Sequence, residues 1–230
     1  ASKVQANPAV RAVLVFEGTT ARFAGEDVAA VAALTPEAAA EALGQFVVAY
    51  EPLPWVTDLE QAREGSAPAV FGESVAGGRP GAASAAGSRP ASLSALAAGA
   101  HPGSVSAAGA GANARSPNLR PVNIRQKGNA PAALAASEIL VEGTFRTQVQ
   151  THCCLETHGV VALWEGDDLR VWASTQGTFA ARDGLAEGLG LPNSRVTVIT
   201  EHMGGGFGSK MGPGSFALIA ARLAKKAGAP

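Results

Sequence analysis

The sequence predicts a mixed α/β chain of the α+β class, and three observations predict it. Short β-branched runs of strand length occur near both ends, at VRAVLVF and RVTVIT. Helix-start and helix-stop residues flank alanine-rich stretches between and after them. A long tract of Gly, Ala, Ser and Pro separates the two structured halves, so the 230 residues divide into two small globular parts. Hydrophobic residues make up 47% of the chain but aromatic residues only 5%, and alanine supplies much of the apolar count. Alanine buries little area, so the core is smaller than that percentage suggests.

In the first part, Val10–Phe16 and Asp27–Ala33 are expected strands. Thr35, Pro36 and Glu37 then supply a capping hydroxyl, a proline for the first helical turn and an acidic residue at the positive end of the helix dipole. The helix EAAAEALGQ follows, with Ala38, Ala42 and Gln45 on one stripe and Leu43 and Phe46 near another. Phe46–Val56 reads as extended, confined to a sheet edge by Pro52 and Pro54.

From Ser74 to Asn118 the composition cannot bury enough apolar surface to offset ordering, which predicts a flexible linker or variable insertion. Beyond it, PAALAASEILVEGTFRT predicts a short helix running into a strand at Ile139–Arg146. GVVALWEGDDLRVWAST alternates about a turn at Glu165–Asp168 and predicts a hairpin. Thr178–Gly190 is an expected helix with a glycine stop, and Arg195–Thr200 an expected strand. SFALIAARLAKKAG predicts a helix with Phe216, Ile219, Ala220 and Leu223 on one face, Lys225 and Lys226 in its last turn, and Gly228 at its end.

Between that last strand and helix lies GGGFG, four glycines around Phe207. Glycine-rich strand-to-helix loops cradle anions because backbone N–H groups approach closely where no Cβ intervenes. Gly208-Ser209-Lys210 is not the Gly-Lys-Ser/Thr of a nucleotide-binding P-loop, and Ser209 stands where the dinucleotide fingerprint needs glycine. Taken alone, the loop is either a tight turn or a ligand cradle.

THCCLETH, Thr151–His158, gathers two histidines, two thiols and a carboxylate. His152, Glu156 and His158 are candidate metal ligands, but their spacing matches no standard site; supporting hydrogen bonds or packing are expected instead. Cys153 and Cys154 are adjacent, and a disulfide between neighbours closes a strained ring, so buried structural cysteines are expected. A formal net charge of −1 gives no electrostatic reason to expect nucleic acid or an anionic membrane surface, and no apolar run reaches bilayer length.

Taken together, QTHCCLETHGVVALWEGDDLRVW, ASTQGTF and MGGGFGSK resemble, in that order, the molybdopterin-binding subunit of the xanthine dehydrogenase/aldehyde oxidase family, the molybdenum hydroxylases. Gln176 precedes Phe207 by 31 residues, as in that family. ARFAGEDVAAVAA and VVAYEPLPWV are similar to the latter half of the family's α/β hammerhead domain. The resemblance divides the chain into a partial hammerhead-like domain (1–72), a linker or insertion (73–118) and the first part of a molybdopterin-binding domain (119–230).

The resemblance implies roles for individual residues. Gln176 would donate its amide N–H to an oxygen ligand of molybdenum. Gly204, Gly205, Gly206 and Gly208 would admit the cofactor, and Phe207 would wall its metal off from water. Glu156 and His158 would support this set. The metal would be held through the pterin, with no side-chain ligand. The implied activity is oxidation or hydroxylation of an aldehyde or N-heteroaromatic ring at a molybdenum–molybdopterin centre, in the cytosine dinucleotide form usual for bacterial members. Implied partners are the remainder of the subunit, a 2Fe–2S subunit, and a FAD or cytochrome (haem) subunit; two cysteines are too few for a cluster. Members continue through a catalytic glutamate motif that this sequence lacks, so a partial chain, inactive by itself, is expected. The alternative reading is a non-catalytic pterin- or nucleotide-binding or scaffold subunit, or a truncated inactive fragment.

Overall fold

A computed structural model of the chain describes residues 2–16, 20–70, 116–119 and 127–230. The expected linker falls mainly on residues 71–115, outside the described residues. Contacts divide the described residues into two units, one of 2–16, 20–53 and 152–230, the other of 54–70, 116–119 and 127–151.

The first unit begins with the single turn α1 (Ser2–Gln5) and an antiparallel pair, β1 (Val10–Val15) and β2 (Ala29–Ala33), in which Val13 faces Val31. The helix α2 (Pro36–Gly44) starts where the cap signal places it, with the Thr35 hydroxyl accepting the Ala38 N–H at 3.2 Å. Ala42 closes a small core with Val4 and Val13, whereas Leu43 stays exposed. The strand expected at 46–56 does not form. Its residues pair with no neighbour and leave Val47, Tyr50 and Trp55 exposed. A strand is stable only when a ladder satisfies its backbone, and none of the described residues supplies one.

The larger core lies under a three-stranded sheet ordered β3 (Val160–Glu165), β4 (Asp168–Ala173), β5 (Val196–Ile199). The expected hairpin forms β3 and β4 about Gly166, whose φ of +64° suits glycine in the tight turn. β4 and β5 run parallel, so their connection crosses over through α5 (Thr178–Leu189), which stops at left-handed Gly190. A 3₁₀ turn at Asn193–Arg195 leads into β5. Strand alternation turns Leu169 and Val171 inward, against Leu185 of α5 and Leu218 of the last helix, α6 (Gly214–Ala227).

The buried stripe of α6 is Ala217, Leu218, Ala221 and Ala224, with Leu223 beside it. This corrects the expected face: Phe216 and Ala220 only border the core. The small side chains let α6 approach β3, where Trp164 Nε1 donates to the Ala221 carbonyl at 2.7 Å and the Lys225 ammonium sits 4.2 Å over the indole. On the other side Lys226 Nζ donates to Val13 O at 2.8 Å. Of the expected face Leu223 is buried, whereas Phe216, Ile219 and Ala220 are only partly so, because close helix–sheet packing selects the alanine stripe.

In the second unit, α3 (Leu59–Ala62) and α4 (Ala130–Ala135) are short helices capped by Asp58 and Asn129. Asn118 donates to the carbonyls of Ala62 and Pro68 and accepts the Val70 N–H. The strand expected at Ile139–Arg146 is absent; the segment is extended and unpaired, with Ile139, Val141 and Phe145 exposed.

Candidate functional site

Parallel pairing of β4 and β5 brings the carboxyl ends of both strands to one edge, where ligand-binding loops of parallel sheets cluster. Ser174-Thr175-Gln176 leaves β4 there, and the segment from Glu201 through the glycines leaves β5. Thr200 Oγ1 donates to Ala173 O at 2.7 Å and clips the two strand ends together. Two motifs 31 residues apart in sequence thus become neighbours.

Gln176 Oε1 accepts the Gly208 N–H at 2.8 Å, with the Lys210 N–H at 3.4 Å, while the Gln176 N–H donates to Lys210 O at 2.8 Å. The amide oxygen is thereby committed to the loop. Its Nε2 has no protein acceptor among the described residues, and the residue is exposed. The loop turns through left-handed Gly205 (φ +94°), Phe207 (φ +48°) and Gly208 (φ +99°). Ser209 N and Oγ both donate to Gly206 O at 2.8 Å and fasten its end. The Phe207 ring folds back toward Gly205 and is 72% exposed.

Below the loop is a charged cluster of which sequence reading named only Glu156. Lys210 is buried, and its Nζ donates to Glu156 O at 3.0 Å, Glu156 Oε2 at 2.9 Å and Ser174 Oγ at 2.8 Å. Glu156 Oε2 also accepts from Ser174 Oγ at 2.5 Å and from the Gly204 N–H at 2.7 Å. These hydrogen bonds, first from Ser174, then from Lys210 and Gly204, hold the Glu156 carboxyl down at about 2. Glu156 is therefore an ionised anchor and a poor proton carrier. The signal in the sequence was a single lysine after the glycines, and nothing local marks it as buried.

The LETH residues do meet the loop. Glu156 N donates to Gly204 O, His158 Nε2 lies 3.4 Å from Ser209 O, and Cys154 Sγ lies 3.5 Å from Ser209 Oγ. His152, Cys154, His158 and Ser209 border an open depression of about 300 Å³. Among the described residues no group of three or more His, Cys, Asp or Glu has metal-binding geometry. The cysteines are both free, as expected, but they are not buried: Cys153 is exposed in left-handed backbone (φ +44°) and Cys154 is half-buried.

The loop is built for close approach by a ligand with acceptor atoms. The successive N–H groups of Gly205, Gly206 and Phe207 meet no acceptor among the described residues. A Cβ on Gly204 would strike Glu156 Cβ at 2.5 Å, and one on Gly206 would overlap the Gln176 side chain, lying 2.5 Å from its Cδ. Unengaged backbone donors on the half-buried Gly205 and the exposed Phe207, beside an amide with an uncommitted N–H, form a donor set suited to oxo or phosphate oxygens.

The model of the molybdopterin cofactor-binding domain family matches residues 115–230, and the chain belongs to that family. Known proteins agree with the molybdenum-hydroxylase resemblance. The aldehyde oxidoreductase molybdenum-binding subunit PaoC of Escherichia coli is 35% identical over 98 residues, 43% of this chain and 13% of that protein. The nicotinate dehydrogenase large molybdopterin subunit of Eubacterium barkeri is 28% identical over 188 residues, 81% of this chain and 34% of that protein. This chain therefore spans about a third or less of these relatives. A solved structure of reconstituted CO dehydrogenase from Oligotropha carboxidovorans superposes with a TM-score of 0.62 at 24% identity, covering 96% of this chain and 28% of that one, a likeness of fold.

Proposed function

We propose that this chain forms one wall of the cofactor site in a molybdenum hydroxylase that oxidises or hydroxylates an aldehyde or N-heteroaromatic substrate. The observation that carries the reading is the Gln176–Gly208 hydrogen bond, which sets an amide donor beside three unengaged loop N–H groups. The family match over residues 115–230 supports a molybdenum–molybdopterin as the bound group. When bound, that group supplies the redox chemistry, and the protein supplies position and electrostatics.

In this reading Gln176 Nε2 donates to an oxygen of the group, and the main chain from Gly204 to Gly208 lies along it. Phe207 covers its metal on one side, and no side chain ligates the metal. We read the pterin as the cytosine dinucleotide form. The remainder of the subunit completes the site, and 2Fe–2S and FAD or haem centres reside on partner subunits. Residues 1–72 and 119–230 belong, in the same reading, to a hammerhead-like domain and to the molybdopterin-binding domain.

The test is molybdenum and pterin analysis of this chain purified in its native complex. Stoichiometric amounts of both are expected. Their absence from an intact complex that oxidises its substrate would overturn the proposal.

A further inference from the structure

A lysine directly after a glycine-rich loop invites the role of a phosphate ligand, as in P-loops. The geometry points to a different role: Lys210 is the positioning residue of the cofactor loop, and it has no hydrogen left for a ligand. An ammonium has three N–H donors and no acceptor. All three have protein acceptors here, at Glu156 O, Glu156 Oε2 and Ser174 Oγ, and its side chain is 0% exposed. A phosphate oxygen would have to displace one of them inside a closed slot.

The same residue holds the outer layer through its main chain. The Lys210 carbonyl accepts from the Gln176 N–H at 2.8 Å and from Thr175 Oγ1 at 2.9 Å. Glu156, clamped by the ammonium, in turn accepts the Gly204 N–H at the far end of the loop. Both ends of the glycine segment and the backbone of Gln176 are therefore tied through one residue, by its ammonium on one side and its carbonyl on the other. What this lock positions rests on the function proposed above; the lock itself does not.

Three substitutions in the assembled complex test the inference: Ser174→Ala, Lys210→Met and Lys210→Arg. Lys210→Met leaves half-exposed Glu156 without its counter-charge and strips three acceptors of their donor, so it is the most disruptive of the three and is read only beside the other two. Ser174→Ala removes two of the hydrogen bonds without stranding a charge. Hydrogen exchange at the amides of Gly204, Gly208, Ser209 and Gln176 is expected to accelerate at least tenfold in Ser174→Ala. Exchange in β3, β4 and α6 should stay unchanged, which separates positioning from general destabilisation. Molybdopterin content should fall severalfold in step.

Lys210→Arg is expected not to rescue, because a forked planar guanidinium does not fit three acceptors gathered around one nitrogen. Unaltered loop exchange in Ser174→Ala, or full pterin content in Lys210→Arg, would overturn the inference. A wild-type complex without molybdopterin would instead sink the proposed function and leave the exchange result standing.

Discussion

The side-chain oxygen of Gln176 and the main-chain nitrogen of Gly208 lie 2.8 Å apart, and this one bond orients both halves of the site. With the oxygen committed to the loop, the amide can present only its Nε2 outward. The loop, for its part, has its turn held from outside.

Gln176→Ala should lower kcat of the assembled complex on the order of 10²–10³-fold, the usual effect of losing one preorganised donor at a reacting centre. Molybdenum and pterin content should remain largely intact, because the Ser209–Gly206 and Glu156–Gly204 bonds still hold the loop. Steady-state kinetics alongside metal analysis checks both halves. Unchanged turnover would remove Gln176 from the centre.

Gly206→Val should reduce cofactor occupancy severely, since its side chain would overlap Gln176, force the loop main chain to shift and fill the space a cofactor needs to approach that main chain. Gly208→Ala should be milder. Its Cβ meets only His152 Nε2 at 3.7 Å, so the penalty is backbone strain at φ +99°, about 1–3 kcal/mol. Equal pterin content in the two variants would contradict this account.

The Glu156 carboxyl lies at about 2 in the folded chain, below its ordinary value of 4.5. A depressed carboxylate stabilises the fold fully above the unfolded value and loses that contribution as pH falls toward the folded one. Loop protection, the exchange rate divided into the intrinsic rate at the same pH, should therefore be flat above about pH 4.5 and fall from there down to about pH 2. Glu156→Gln should abolish that acid dependence while raising exchange at neutral pH. Hydrogen exchange across this range, wild type against variant, is the measurement.

Leu218→Ala should destabilise the fold by about 2–5 kcal/mol, as for a fully buried leucine. Ile219→Ala, one residue along α6 and only partly buried, should cost clearly less. Denaturant unfolding of both variants would show whether the helix seats on its alanine stripe. The reverse ranking would restore the Phe216–Ile219 face.

Much of the fold was legible because its signals are local. The Thr35 cap, the Glu165–Asp168 turn, the Gly190 and Gly228 stops and the β-branched run at Val196 each act within a few residues, and each formed as read. The extended stretches at 46–56 and 139–146 carry equally good strand composition and formed none. Composition describes a willing strand, but pairing requires a neighbour. The choice of buried face on α6 failed for a related reason, because the shape of the opposing β3 surface decides which stripe fits.

Residue types and their order were sufficient to pick out Gln176 and the glycine loop as one constellation, because a shared family pattern records what spacing alone leaves open. Folding decided how they meet. Parallel placement of β4 and β5 turned a separation of 32 residues into a hydrogen bond, and burial made Lys210, to which the sequence assigned no role, an internal clamp. A charge reveals its role only through what surrounds it, and the surroundings of Lys210 come from two segments distant along the chain, at Glu156 and at Ser174–Gln176.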